Sequence, residues 1–193
     1  MMNVCVFAAS SSRIDEVYSR AASELGALLA EAGMNVLYGG GGIGLMGKLA
    51  DAVLEKGGTI TGVIPSFMKT EGWDHKLVSD MVVTVDMGER KKWLFDRADA
   101  VIALPGGIGT LEELTEAITL KQLGIYKGPV VLLNTAGFYD TFIEFMEQLV
   151  KGHFLRLEHK DIWEIVNTPE EALTALTSYK GWMEDPRKIA RIL

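Results

Sequence analysis

A glycine-rich turn followed by carboxylates is the part of the sequence best suited to chemistry. It reads Pro105-Gly106-Gly107-Ile108-Gly109-Thr110-Leu111-Glu112-Glu113, between an apolar strand-like run and a helical pattern. Glycine allows backbone N–H groups to approach an anion closely, and the amino end of a helix adds a favourable field. Glu112, Glu113 and Glu116 crowd this helix start, so the turn predicts a site where phosphate anchors a ligand and a carboxylate reacts. The alternative is structural, because Thr110 and Glu113 also match a Thr-x-x-Glu capping box.

A basic segment precedes this turn and supplies positive charge. Arg90 and Lys91 follow the end of the predicted fourth strand, which we expect to neighbour the loop after the fifth strand. Cations there would face the carboxylates of the turn. A solvated basic helix start is the alternative, although basic residues are poorly placed at the amino end of a helix.

An earlier glycine cluster also joins a strand to a helix, and it contains Gly41 and Gly42 among residues 39–47. Its GxGxxG match is weak evidence for NAD, because the loop follows the second strand and no acidic residue ends the next one. A near match to the P-loop has Leu49 where a magnesium-binding hydroxyl is required, which disfavours an NTPase. Two interpretations remain: a tight turn with close helix packing, or a phosphate or nucleotide contact.

The elements that position these loops follow from alternating apolar runs and amphipathic stretches. Predicted strands are residues 3–8, 34–38, 59–64, 81–85, 100–104, 130–133 and 162–166. Predicted helices are 15–32, 43–56, 88–97, 110–123, 138–150 and 170–178, with 66–76 irregular and a short terminal helix at 186–191. This pattern predicts one α/β domain over residues 1–193, a Rossmann-like, doubly wound parallel sheet with helices on both faces. Ligands of such sheets bind beyond the carboxyl ends of the strands.

Composition and charge exclude several classes. The net charge of −7 disfavours binding to a nucleic-acid polymer, but not to a small phosphorylated ligand. The sequence contains no HExxH or CxxC spacing, so we predict neither a metal nor a cofactor, and we expect the single cysteine, Cys5, to be an inert strand residue. No run approaches the ~20 apolar residues of a membrane span, and no signal-peptide pattern is present, so a cytoplasmic protein without a membrane partner is expected.

The tryptophans are predicted to serve packing or interfaces rather than base stacking: Trp73, Trp93, Trp163 and Trp182.

Three spaced motifs resemble those of the Lonely guy (LOG) family of cytokinin riboside 5′-monophosphate phosphoribohydrolases, whose members are often labelled lysine decarboxylase. The motifs are residues 40–42 with 44–47, Met87 with Arg90 and Lys91, and residues 105–113. The resemblance covers about residues 3–159 and implies a homodimer with an AMP-like ligand. It also implies the site residues: Arg90 and Glu113 as the catalytic pair, Gly106, Gly107, Gly109 and Thr110 on phosphate, and Thr119 and Glu71 as substrate contacts. Gly41, Gly42 and Lys91 complete the predicted substrate-binding set.

The predicted reaction is hydrolysis of the N-glycosidic bond of a nucleoside 5′-monophosphate, AMP or a cytokinin riboside monophosphate. It would yield the free base and ribose 5-phosphate. Cleavage passes through an oxocarbenium-like state, which the Glu113 carboxylate could stabilise or supply with an activated water. Arg90 could hold phosphate or ribose, or orient Glu113. The alternative is a non-catalytic module that binds AMP as a sensor or carrier. Lysine decarboxylation is disfavoured because the sequence has no recognisable lysine setting for pyridoxal phosphate.

Overall fold

The structure is a computed structural model, and it describes residues 1–183 and 185. Its described part contains a seven-stranded sheet in the order β4-β3-β2-β1-β5-β6-β7, in which every neighbouring pair is parallel. The strands are β1 Asn3–Phe7, β2 Asn35–Tyr38, β3 Thr59–Pro65, β4 Asp80–Thr84, β5 Ala100–Ala103, β6 Val130–Leu133 and β7 Glu164–Val166. The predicted fold class, a doubly wound parallel sheet, is therefore confirmed.

Helices connect the strands at the predicted places. They are α1 Glu16–Glu31, α2 Gly44–Glu55, α3 Ser66–Thr70, α4 Met87–Arg97, α5 Ile108–Gln122, α6 Asp140–Lys151 and α7 Pro169–Ser178, with short 3-10 helices at Thr135–Gly137 and Leu157–Ile162. The prediction of an irregular segment at 66–76 is wrong in part, because α3 is a single helical turn too short to give a periodic pattern. The helix predicted at 186–191 lies outside the described residues.

Helices cover both faces of the five inner strands, and successive strand residues point into opposite core layers. Val4 and Val6 of β1 pack in one core layer with residues of α1, α2 and α7. Cys5 and Phe7 pack in the other layer with residues of α4, α5 and α6. Burial raises the pKa of the Cys5 thiol, so this cysteine has the inert character expected of a strand residue. None of the helices in the described part is both long and apolar enough to span a bilayer.

The strand order corrects one expectation about the site. We expected the end of β4 to neighbour the loop after β5, but β4 is an edge strand and three strands separate it from β5. The first four strands step outward from β1, and the chain must then return to the free side of β1 to form β5. Helix α4 makes this return. It brings Arg90, in its first turn, back across the sheet to β3 and α5.

Candidate active site

A cavity of about 560 Å³ lies at the carboxyl ends of the central strands. This is where the strand order reverses between β1 and β5, the position at which doubly wound sheets bind ligands. Its volume falls within the ~300–1,000 Å³ typical of small-molecule sites. The lining residues are Ala8, Ala9, Ser10, Gly39, Gly41, Gly42, Ile43, Met46, Ile64, Met68, Trp73, Met87, Arg90, Gly107, Ile108, Gly109, Thr110 and Glu113.

A buried ion pair forms the polar centre of this cavity. Arg90 Nη1 donates to Glu113 Oε1 at 2.5 Å, and Arg90 Nε donates to the Val63 carbonyl oxygen at 2.9 Å. Both side chains are almost fully buried, with Arg90 6% and Glu113 7% exposed. Burial raises the pKa of Glu113, and the Arg90 charge and hydrogen bond oppose that rise. The carboxylate is therefore fixed in direction and made more basic than an ordinary glutamate.

The first glycine loop makes room for this ion pair. A Cβ on Gly39 would lie 2.3 Å from Arg90 Nη2, so a side chain there would displace the guanidinium. Gly44 serves packing instead, because it has a φ of +68° and its Cβ would lie 2.6 Å from the Ser11 carbonyl oxygen. Gly39, Gly41 and Gly42 line the cavity, so a phosphate or nucleotide contact of this loop stays a prediction.

The second glycine loop opens α5 directly onto the cavity. Gly107 is the N-cap of α5, so the first backbone N–H groups of the helix have no intrahelical partners. Gly107, Gly109 and Thr110 all line the cavity. Gly106 is not among the lining residues, and it lies so close to the Thr110 hydroxyl that a side chain at this position would collide with it. The capping-box interpretation is wrong, because α5 begins three residues earlier than a cap at Thr110 requires. The Glu113 carboxylate binds Arg90 instead of the backbone.

Lys91 lies outside the cavity lining and joins α4 to α5 on the surface. Its ammonium group pairs with Glu112 and, at 2.7 Å, with Glu116. Hydrogen bonds to these two carboxylates raise the pKa of Lys91. The acidic residues that crowd the start of α5 therefore divide between two cations, and Glu113 alone of the three faces the cavity.

Two other predicted substrate contacts also lie away from the cavity lining. Glu71 is exposed just after α3, and Thr119 is exposed on α5, where its hydroxyl donates to the Thr115 carbonyl oxygen at 2.8 Å. Their roles, like those of the other site residues, stay predictions. Among the described residues, no group of three or more His, Cys, Asp or Glu side chains is arranged to hold a metal ion.

The apolar wall of the cavity was missed in the sequence. Trp73, which we expected to serve packing or an interface, is 51% exposed and lines the cavity. Its carbonyl oxygen accepts a 3.0 Å hydrogen bond from the Gly42 N–H, and the His75 N–H donates to the Gly40 carbonyl oxygen at 2.9 Å. These bonds hold the irregular segment after α3 over the first glycine loop. No periodic pattern could have placed Trp73, because its position depends on long-range backbone contacts.

The chain is similar to several known proteins. Residues 46–176 match a family model described as possible lysine decarboxylase. The cytokinin riboside 5′-monophosphate phosphoribohydrolase LOG5 of Arabidopsis thaliana is 40% identical over 177 residues, which cover 92% of this chain and 78% of that protein. The corresponding LOG enzyme of Oryza sativa subsp. japonica is 42% identical over 176 residues, covering 91% of this chain and 73% of that protein.

Solved structures share the fold. The X-ray structure of TM1055 has a TM-score of 0.71 and 31% identity, and the match covers 93% of this chain and 100% of that one. The molybdenum cofactor carrier protein of Chlamydomonas reinhardtii has a TM-score of 0.70, with 91% of this chain and 96% of that one covered. Because its identity is only 23%, this second likeness shows the fold alone.

Proposed function

Because the chain belongs to the LOG family of cytokinin riboside 5′-monophosphate phosphoribohydrolases, we propose that it hydrolyses the N-glycosidic bond of a nucleoside 5′-monophosphate. The substrate is AMP or a cytokinin riboside monophosphate, and the products are the free base and ribose 5-phosphate. The observation that carries this proposal is the buried Arg90–Glu113 pair, set beside the open start of α5 in one cavity.

The two ends of the cavity suit the two ends of a nucleotide. The N–H groups at the start of α5, between Gly107 and Thr110, form a site for the 5′-phosphate, where the helix dipole favours negative charge. The lining also contains Met46, Met68 and Trp73, which suit the flat apolar faces of a purine base. The ribose then lies between them, with its glycosidic carbon beside Glu113.

Glu113 is the residue we assign to the chemical step. Its ionised carboxylate stabilises the positive charge that develops on the ribose, or accepts a proton from the attacking water. Burial strengthens either interaction because less water screens the charge. Arg90 keeps the carboxylate oriented through the 2.5 Å hydrogen bond, and its charge favours the ionised form.

Base release from AMP and from isopentenyladenosine monophosphate, followed by liquid chromatography, tests the proposal. Glu113→Gln is expected to lower kcat by about 10²–10⁴-fold, the usual contribution of a positioned acid–base group. Glu112→Gln is the matched control, since it makes the same change at the adjacent, exposed position and is expected to keep kcat within about threefold of the parent. Release of no base by the parent protein, or full activity in Glu113→Gln, would contradict the assignment.

Two other activities are distinguished by separate measurements. A non-catalytic AMP-binding module would bind AMP in calorimetry without turnover, and it would give no role to the Arg90–Glu113 pair. Lysine decarboxylation by pyridoxal phosphate needs a cavity lysine to carry the cofactor, whereas no lysine of the described residues lines this cavity. We therefore expect no carbon dioxide release from lysine.

We also propose that the protein is a cytoplasmic homodimer that does not bind nucleic-acid polymers. The net charge of −7 supports the last point. Exposed side chains on one side of α5 support the dimer: Ile108, Thr115, Thr119 and, at the C-cap, Leu123. Glu112 lies on the same side, and its charge is paired with Lys91. Light scattering is expected to give twice the mass of one chain. Leu123→Glu is expected to give the monomer. Leu77→Glu, at an exposed position between α3 and β4, is expected to leave the dimer intact. A monomeric parent would contradict the proposal.

A further inference from the structure

A second cavity lies at the amino ends of two strands, where β6 and β7 begin and α5 ends. Its volume is about 200 Å³, and its lining residues are Lys121, Pro129, Val130, Asp161, Ile162, Trp163, Glu164 and Tyr179. The first cavity lies at the carboxyl ends of the strands, so the two sites are separate. The proposed phosphoribohydrolase reaction gives no role to any of these residues.

Lys121 is an unusual residue for this position because lysines are almost never fully buried without a paired charge. Only 2% of it is exposed, and within the described residues no hydrogen bond or ion pair joins its ammonium group to a neighbour. The group lies over the Tyr179 ring, 4.6 Å from the ring centre, as in a cation–π contact. An apolar residue could fill this space without the free-energy cost of removing an ammonium group from water.

Burial of Lys121 favours its neutral amine, whereas the face of the Tyr179 ring and the charge of Glu164 favour the ammonium. Burial lowers the pKa of Lys121 to about 8, and the negative charge of Glu164 opposes this change only in part. The other charged or titratable groups facing the cavity are Asp161, from the segment before β7, and Tyr179, from the segment after α7. The neutral form of a lysine is its nucleophilic form, so a large fraction of this amine is reactive at mildly alkaline pH.

We propose that Lys121 is a nucleophilic site that forms a reversible imine with a small, uncharged carbonyl compound in the second cavity. The amine nitrogen attacks the carbonyl carbon, and a proton moves from nitrogen to oxygen to give a carbinolamine. Loss of water from the carbinolamine then forms the C=N bond, and addition of water reverses it. The step needs no oxidant, reductant or metal.

The size and charge of the cavity define the ligand class. Its 200 Å³ is smaller than the ~300 Å³ of the smallest typical ligand pockets, so the compound has few atoms. The carboxylates of Asp161 and Glu164 disfavour an anion, while the rings of Trp163 and Tyr179 suit an apolar body. A short-chain aldehyde or ketone meets these conditions better than a keto acid or a sugar phosphate.

Competitive labelling of the full chain tests the proposal. The protein is treated with propanal and cyanoborohydride at pH 8, and peptide mass spectrometry gives the initial labelling rate of Lys121 relative to exposed Lys127. An amine with a pKa of about 8 is half neutral at this pH, roughly 100 times the neutral fraction of a lysine of ordinary pKa, ~10.4. We expect Lys121 to react at least about tenfold faster than Lys127, and a ratio of one or less overturns the proposal.

Two further experiments test whether the neutral amine, rather than simple access of the reagent to Lys121, controls the labelling rate. Tyr179→Ala exposes Lys121 to water, so its ratio to Lys127 is expected to fall, whereas Tyr179→Phe keeps the ring and the ratio. A ratio that rises in Tyr179→Ala would mean that access, not the neutral amine, controls labelling, and would overturn the proposal. Glyoxylate, an anionic aldehyde of similar size, is expected to give a smaller ratio than propanal. An equal or larger ratio would overturn the ligand class.

Discussion

Replacing Arg90 with methionine is expected to leave the Glu113 carboxylate buried without its partner cation. Methionine fills much of the space of the arginine stem, so the change removes charge and hydrogen bonds more than volume. The carboxylate then has no directly bound cation in a site that is only 7% exposed, and only the weaker influence of the Lys91 charge remains. We expect Glu113 to take up a proton at neutral pH, because an isolated buried charge costs more than protonation.

The size of the effect follows from that proton. Protonating a glutamate with the reference pKa of 4.5 at pH 7 costs at most about 3.4 kcal/mol, at about 1.36 kcal/mol per pH unit. Burial already raises the pKa of Glu113 in the parent, so part of this cost is present there. The Val63 carbonyl oxygen also loses its hydrogen-bond donor, which costs about 1 kcal/mol. Removal of the guanidinium also removes the cost of burying that charge, which offsets part of the total. The expected loss is about 2–3 kcal/mol at pH 7, or a Tm lower by about 5–10 °C.

The pH dependence distinguishes this cause from simple loss of packing. The pKa of Glu113 rises further in Arg90→Met, so its folded value lies above the unfolded value. Such a carboxyl group contributes stability below pH 4.5, and that contribution is lost as the pH rises through the folded pKa. The variant is therefore expected to approach the parent in stability near pH 5 and to fall further below it by pH 7.

Urea unfolding at several pH values between 5 and 8 measures this difference. Lys91→Met is the matched control, because it makes the same substitution at the next residue. It removes a cation whose partners are Glu112 and the half-exposed Glu116, and whose charge has only the smallest of the influences on Glu113. We expect this control to cost about 1 kcal/mol or less, with little change over the pH range. A difference between Arg90→Met and the parent that is equal at pH 5 and pH 8 would refute the reasoning.

Three further predictions concern the cavity. Gly39→Ala is expected to lower kcat/KM at least about tenfold by displacing Arg90, while Gly88→Ala, outside the cavity, keeps parental values. Equal kinetics in both variants would contradict the close approach of Gly39 to the Arg90 guanidinium. Trp73→Ala is expected to raise KM for AMP about tenfold or more, with a smaller change in kcat, because it removes a wall of the base site. Because burial raises the pKa of Glu113, the acid limb of the kcat/KM pH profile is expected above pH 4.5, and a limb at or below that value would count against Glu113.

The sequence alone determined the elements and the chemistry-bearing loops. Apolar runs placed all seven strands, and the signal was strongest for the five inner strands, because strands buried on both faces must be continuously apolar. The glycine loops marked the ends of β2 and β5, since only glycine permits such close backbone approach. Local pattern also marked the two charged groups, Arg90 with Lys91 and the glutamates at the start of α5. The family resemblance selected Arg90 and Glu113 among them, and the structure joins these two in an ion pair.

Only the tertiary structure decided how these parts meet. Arg90 reaches Glu113 because α4 crosses the sheet to return the chain to β1, not because β4 neighbours β5. Trp73 joins the cavity through backbone hydrogen bonds to the first glycine loop. Lys121 owes its character to a cavity formed by segments distant in the sequence. Burial, strand order and partner distance are properties of the packed chain, so no local pattern of residues contains them.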